Sequence, residues 1–344
     1  MKARNTLLEL TTDAFVDCRD MFYHTVERSV LKMEKERGLS LVSEKAIGEE
    51  RRYGSWRKGR VEPSEGHVKV LGFKLYYRSF GRSDKGTVLV LHGGPGCILD
   101  YLLPLADLVQ FGYRVVLYNQ IGCGKSERPR SAKYYTQSRA VDEVEGVRKA
   151  LRLGRVHLFG QSYGGALALD VALKYPKGLR SIVVSSGFAN YSLFEKEYAR
   201  LRSEMPDGIQ DTLKKYEAKG DLKNPKYLAA LDVLDHKHFC RLRIWPYDYW
   251  YMIEHFVDQG RGRMNGWDIT DRLPEIRLPC LITMGKYDVV TPKCVRAVHR
   301  GIRRSKLVMF EKGSHSPMWE NRERFIEIVR DFLDGVPASP RKSP

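Results

Sequence analysis

Gly160-Gln161-Ser162-Tyr163-Gly164 stands between Arg155-Val156-His157-Leu158-Phe159, which reads as a buried strand, and Gly165-Ala166-Leu167-Ala168-Leu169, which reads as the opening of a helix. A strand that turns sharply into a helix at a G-x-S-x-G pentapeptide is a nucleophile elbow, with Ser162 at its tip. The glycines at 160 and 164 let strand and helix pack closely and leave the hydroxyl open to a substrate. A hydroxyl near neutral pH is a weak nucleophile, so the reading requires a base elsewhere in the chain.

Where a serine stands on such an elbow, an acid and then a histidine follow it, each after a later strand. Pro279-Cys280-Leu281-Ile282-Thr283-Met284 has strand character, and the loop after it, Gly285-Lys286-Tyr287-Asp288, delivers a carboxylate. The next strand, Lys306-Leu307-Val308-Met309-Phe310, runs into Glu311-Lys312-Gly313-Ser314-His315. In this division of labour His315 takes the Ser162 proton and returns it to the leaving group, while Asp288 fixes the imidazole tautomer and stabilises the imidazolium. Upstream, Thr87-Val88-Leu89-Val90-Leu91 precedes the glycine-rich loop His92-Gly93-Gly94-Pro95-Gly96. The N–H groups of Gly94 and Tyr163 are the expected oxyanion-hole donors. Taken singly, each of these pieces is common; their agreement in order carries the assignment. His236 and His238 fall in a helical stretch with no matching zinc-ligand pattern and are expected to be surface or packing residues.

With 344 residues the chain is too long for an elbow-bearing sheet domain alone, so an insertion or extension is expected. The six cysteines, at 18, 97, 123, 240, 280 and 294, show no paired spacing, which favours reduced thiols in a cytoplasmic protein. Cys97 and Cys123 lie in the active-site loops and are expected to pack rather than to do redox chemistry. No apolar run approaches the roughly 18 to 20 residues of a membrane span, and no signal-peptide core opens the chain. The net charge of +17 comes from scattered basic residues without a nucleic-acid-binding module, and so reads as solvated surface. A local basic and aromatic cluster spans residues 51–60. No metal or cofactor is called for.

Residues 1–60 form an N-terminal extension, in which Phe15, Cys18, Phe22, Val26, Val30 and Met33 recur at helical spacing. This helix is expected to dock on the body or on another subunit, as a homo-oligomer contact. Asp17, Asp20, Glu27 and Glu34 on its polar face speak against membrane attachment. Residues 61–186 and 269–335 alternate strands and helices, the pattern of an α/β fold with a mostly parallel central sheet covered by helices on both faces. Between them, residues 187–268 read as an inserted helical cap over the sheet edge that carries Ser162, and residues 336–344 as a disordered tail. The aromatic run at 245–251 suits either a wall of the substrate pocket or ordinary cap packing.

His92 to Gly96, Gly160 to Gly164, Gly285-Lys286-Tyr287-Asp288-Val289-Val290-Thr291-Pro292 and Gly313-Ser314-His315-Ser316-Pro317-Met318-Trp319-Glu320 together resemble the proline iminopeptidase (prolyl aminopeptidase) family of α/β-hydrolases, peptidase family S33. The similarity is closest to the archaeal tricorn-interacting aminopeptidases and covers roughly residues 66–333. It implies a serine hydrolase that releases an N-terminal residue, preferably proline, from short peptides. The loop from Tyr118 to Ser126 also resembles a family loop, with Asn119 where an aspartate is usual, a change expected to affect loop structure more than chemistry.

Two departures concern the acidic groups that hold the substrate's α-ammonium in the archaeal type. Val289 occupies the position of one glutamate, and Met264-Asn265-Gly266 runs straight into Trp267-Asp268 where the loop carrying another would lie. Asp232, Asp235, Asp248, Glu254 and Asp258 in the cap are the carboxylates that could replace them. The alternative is an esterase or amidase acting on uncharged acyl substrates. A non-catalytic partner protein is disfavoured by the intact Ser162, Asp288 and His315 set, and a dehalogenase or epoxide hydrolase by serine at the elbow.

Overall fold

The computed structural model describes residues 62–222, 224–242 and 264–337. The N-terminal extension, the basic cluster at 51–60, the aromatic run at 245–251 and the cap carboxylates Asp248, Glu254 and Asp258 lie outside the described residues. Of the tail expected from residue 336, Val336 is buried and Pro337 is described; the remainder also lies outside.

Eight strands form one sheet: β1 (Ser64–Val70), β2 (Phe73–Phe80), β3 (Gly86–Leu91), β4 (Tyr113–Tyr118), β5 (Val156–Gln161), β6 (Leu179–Ser185), β7 (Cys280–Gly285) and β8 (Ser305–Phe310). Their spatial order is β1-β2-β4-β3-β5-β6-β7-β8. β1 and β2 form a hairpin in which Val70 opposes Phe73, so the loop is Leu71-Gly72, with φ of 49° and 92°. Positive φ at both loop residues matches the right-handed twist of the strands they join. β2 is antiparallel to β4, and from β4 to β8 every pairing is parallel. The expectation of a mostly parallel sheet is met.

Central parallel strands are covered on both sides and therefore carry continuous apolar runs. β5 shows the consequence: all six of its residues are buried. Leu158 joins the core under α1 (Gln137–Ala150) and α2 (Tyr163–Lys174), while the Phe159 ring meets Phe325 of α8 (Arg322–Asp334) on the other face. α1 forms because Ala140, Val141, Val144 and Val147 recur on one buried face and because the Thr136 hydroxyl accepts a hydrogen bond from the Arg139 N–H. Such a cap contributes about 1 kcal/mol.

Two features of this topology position the site. First, β3 has β4 on one side and β5 on the other, so consecutive strands depart in opposite directions from this point. A crevice opens at the carboxyl ends of the strands at such a switch, and the loops after β3 and β5 line it. Second, the connection from β6 to β7 carries, among the described residues, the helices α3 (Tyr191–Ser203), α4 (Asp207–Ala218) and α5 (Pro225–His238). Its two ends are pinned together: Tyr191 N–H donates to Trp267 C=O, Ile269 N–H donates to Ala189 C=O, and Asn190 pairs with Asp268. Leu213, Tyr227 and Ala230 make a small separate core between α4 and α5. After β7 come α6 (Pro292–Gly301), β8, α7 (Pro317–Glu320) and α8. No helix among the described residues is long and apolar enough to cross a membrane.

Phe325 is fully buried and touches both Phe159 and Phe310. Phe325→Ala should cost about 3–5 kcal/mol of stability, read from the midpoint of a urea unfolding curve with unchanged slope. A loss below about 1 kcal/mol would show that this face of the sheet does not carry the core.

Candidate active site

Ser162 sits between β5 and α2 with φ 58° and ψ −124°, a backbone conformation that side-chain-bearing residues rarely adopt. Holding it costs on the order of 1–3 kcal/mol, offset by the packing around it. That packing is close. A Cβ on Gly160 would lie 2.0 Å from the Gly164 carbonyl oxygen, and one on Gly164 would lie 2.4 Å from that of Leu91. Ser162 N–H donates to Ser185 C=O at 2.9 Å, and its own carbonyl accepts from Gly165 and Ala166 N–H as α2 begins. Tyr163 is the first residue of that helix.

The loop after β3 lies against this elbow, since a Cβ on Gly93 would fall 2.9 Å from the Ser162 Cβ. The Gly93 N–H donates to the Tyr101 hydroxyl at 2.7 Å and is therefore taken. Gly94, at φ 113°, is the next residue in the loop. Tyr163 is held at its other end: its hydroxyl donates to Gln137, whose amide donates to Asp170, which also accepts from the Trp267 indole. Burial raises the Asp170 pKa above the usual carboxylate range.

Asp288 and His315, at the carboxyl ends of β7 and β8, come together as the sequence predicts. The Nδ1 of His315 is 2.7 Å from Oδ1 of Asp288, and both residues are almost completely buried. Because that carboxylate oxygen also accepts from the Val290 N–H at 2.8 Å, Nδ1 carries the proton. A proton on Nδ1 leaves Nε2 with a lone pair, which is the form a general base needs. The strands allow this approach because a Cβ on Gly285 would lie 2.2 Å from the Ser314 carbonyl oxygen.

Sequence reasoning missed the groups that hold this pair. His238 is buried, as a packing histidine would be, but it does more than fill space. Its carbonyl accepts from both Val289 N–H and His315 N–H, at 3.2 Å each, and its Nδ1 lies 2.8 Å from the Tyr287 carbonyl. Burial depresses its pKa, which keeps the ring neutral with Nδ1–H as donor. The next residue, Phe239, sets its ring edge-on to that of His315 with centroids 5.4 Å apart. Glu320 accepts from the backbone N–H groups of Ser314 and Arg241, at 2.6 Å each. The end of α5 is thus bonded to the loops that carry Asp288 and His315. The Asp235-His236-Lys237-His238 stretch offered no local signal, because the bonds that His238 makes to Tyr287, Val289 and His315 each span at least 49 positions of sequence.

Asn119 behaves as a loop residue: its side-chain oxygen accepts from Leu99 N–H at 2.8 Å, and its carbonyl accepts from Ser126. His92 is likewise structural, its Nε2 accepting from the Gln120 N–H. None of the five described cysteines is in a disulfide. Desolvation pushes the Cys97 thiol up to about 12, and burial pushes the Cys294 thiol up to about 11. Such thiols are poor nucleophiles near neutral pH.

The elbow, the loop beside it and the Asp–His pair define the class, a serine hydrolase on an α/β sheet, and comparison with known proteins gives the family. Residues 86–322 match the alpha/beta hydrolase fold profile. The chain is 38% identical over 292 residues to the proline iminopeptidase of Saccharolobus solfataricus, covering 80% of this chain and 94% of that protein. It is 37% identical to the proline iminopeptidase of Thermoplasma volcanium, covering 78% and 96%. Among solved structures, VinJ superposes with a TM-score of 0.75 at 31% identity, covering 80% and 99% of the two chains. The proline iminopeptidase of Mycobacterium smegmatis does so with a TM-score of 0.71 at 28% identity, covering 79% and 98%. The chain belongs to the proline iminopeptidase family of α/β-hydrolases.

Asp288→Asn keeps the side-chain shape but removes the carboxylate that selects the Nδ1–H tautomer. It should lower kcat by on the order of 10⁴ with the fold intact by circular dichroism. A loss below about tenfold, measured on any turned-over ester or amide, would place the base elsewhere.

Proposed function

We propose that this chain is a prolyl-type aminopeptidase that releases the N-terminal residue of short peptides through an acyl-enzyme on Ser162. The observation that carries the reading is the 2.7 Å His315–Asp288 bond, on a histidine whose carbonyl is itself bonded to Gln161, the residue before the nucleophile. In the proposed sequence His315 Nε2 removes the Ser162 proton as Oγ attacks the scissile carbonyl. The Gly94 and Tyr163 N–H groups receive the developing oxyanion, a contribution of about 2.7–4 kcal/mol per donor. His315 then protonates the leaving amine, and a water activated by the same imidazole releases the acyl group. A cytoplasmic location belongs to the same proposal, supported by cysteines that show no paired spacing in the sequence.

The amine-binding end of the substrate needs a different account from that of the archaeal relatives. Val289 is buried and apolar. The segment after Met264 is a tight turn, closed by Trp267 N–H donating to Met264 C=O, with no loop in between. We assign the ammonium contact instead to Asp235. It lies on α5 one helical turn before Phe239, the residue whose ring meets His315, and the two therefore share a helix face. Desolvation, with a smaller contribution from the Asp232 charge, pushes its pKa up to about 7. A largely buried carboxyl in that condition gains most from an arriving cation, since an ion pair at about 4 Å is worth about 4 kcal/mol at an effective dielectric of 20.

The test compares a prolyl anilide bearing a free amine with its N-acetylated form and with a short acyl ester. Wild type should prefer the free amine, and Asp235→Asn should lower kcat/KM for that substrate by at least about tenfold while leaving the ester unaffected. Because Asp235 is anionic only above its pKa of about 7, the ratio of free-amine to ester kcat/KM should fall as pH drops through 7. Protonation of His315 affects both substrates and cancels in that ratio. Faster turnover of the acetylated or ester substrate by wild type would make the protein an esterase or amidase instead. A flat ratio would remove Asp235 from the amine site.

A further inference from the structure

Gln161 fills the variable position just before the nucleophile, and nothing in the hydrolytic scheme requires an amide there. Its side chain is nevertheless buried, with both ends committed. Oε1 accepts a 2.6 Å hydrogen bond from the Tyr101 hydroxyl, and Nε2 donates at 3.0 Å to the backbone carbonyl of His315. The Tyr101 oxygen in turn accepts the Gly93 N–H at 2.7 Å. The donor sense runs one way throughout. A carbonyl at one end accepts only from Nε2–H, and a backbone N–H at the other obliges the tyrosine oxygen to spend its own proton on Oε1. Burial raises the Tyr101 pKa well above its ordinary value, so the hydroxyl keeps that proton.

We propose that Gln161 is the positioning residue that holds the oxyanion loop and the general-base loop in register with each other, with Tyr101 as its link to the former. Three loops from three strands must meet within a fraction of an ångström for this chemistry, and a 1 Å misplacement costs on the order of 10²-fold. The Gln161 amide touches all three directly or through one hydroxyl. Its own backbone leads into Ser162, and its carboxamide oxygen would lie 3.0 Å from a Cβ on Gly93. Tyr101 is itself fixed, because its carbonyl accepts the Trp319 indole N–H at 2.7 Å. The His315 main chain is therefore gripped from both sides, its N–H by the cap at His238 and its C=O by the elbow strand at Gln161. A strain of a few tenths of an ångström at either grip would reach the imidazole.

The proposal rests on the hydrolase reading and is independent of which amine or acyl group the enzyme prefers. An activated ester and an active-site titration with a fluorophosphonate serve as probes, with rates expressed per titrated site so that misfolded protein does not count. Gln161→Met, which keeps length and burial but makes no hydrogen bond, should lower kcat about 10- to 100-fold with KM within about threefold. Tyr101→Phe, which cuts only the oxyanion-loop end, should lower kcat about tenfold and leave the pH midpoint of the kcat/KM limb of His315 unmoved. Gln161→Met should shift that midpoint as well. Because the two act through one bridge, the double variant should be no worse than Gln161→Met alone. Single variants within twofold of wild type per titrated site, with only the melting temperature lowered, would reduce Gln161 to a packing residue and overturn the proposal. Losses that multiply in the double variant would overturn it too, by showing two unconnected contributions. Turnover and titration that survive Ser162→Ala would instead remove the hydrolase reading itself.

Discussion

The backbone of Ser162 is the constraint on which the site depends. A serine at φ 58° persists only where its neighbours leave no alternative, and here they are glycines so close to other backbone that a methyl group would not fit. The strand end, the helix start and the tip of β3 meet at this point. That contact sets the sharp turn at Ser162 and brings the Gly93-Gly94 loop alongside. The parallel sheet supplies the rest, because adjacent strands deliver their loops to the same edge and the change of direction at β3 opens a crevice there.

A second layer of organisation comes from the cap. The end of α5 is hydrogen-bonded to the loops of Asp288 and His315, and Glu197 on α3 accepts from the Thr291 hydroxyl three residues beyond the acid. The helices between β6 and β7 are thus bonded at several points to the loops that carry Asp288 and His315. The same helix carries Asp235, so the proposed amine contact and the clamp on His315 share one rigid element.

The candidate site residues were legible in the sequence because each is a local pattern: glycine, serine, aspartate or histidine in the loop after an apolar strand. Ser162, Asp288 and His315 stand where those patterns put them, and so do the strands that carry them. The helices at Tyr191–Ser203, Asp207–Ala218 and Pro225–His238 were legible for a similar reason, from a change in residue pattern after β6. The supporting residues were not. Gln161 and His315 are 154 positions apart, and the bond between them exists only because the sheet brings β5 and β8 to the same edge with two strands, β6 and β7, between them. Nothing in the composition around His238 or Tyr101 distinguishes a residue that bonds across the fold from one that merely fills it. Backbone acceptors such as the His238 carbonyl carry no residue signature at all.

The central claim is that Ser162, Gly94 and Tyr163 form one reaction centre with His315. A crystal structure of the enzyme after reaction with a fluorophosphonate tests it most directly. The account predicts phosphorus bonded to Ser162 Oγ, the phosphoryl oxygen about 2.7–3.1 Å from the Gly94 and Tyr163 nitrogens, and His315 Nε2 within hydrogen-bond reach of Oγ. An adduct on another side chain, or a phosphoryl oxygen turned away from both nitrogens, would contradict it.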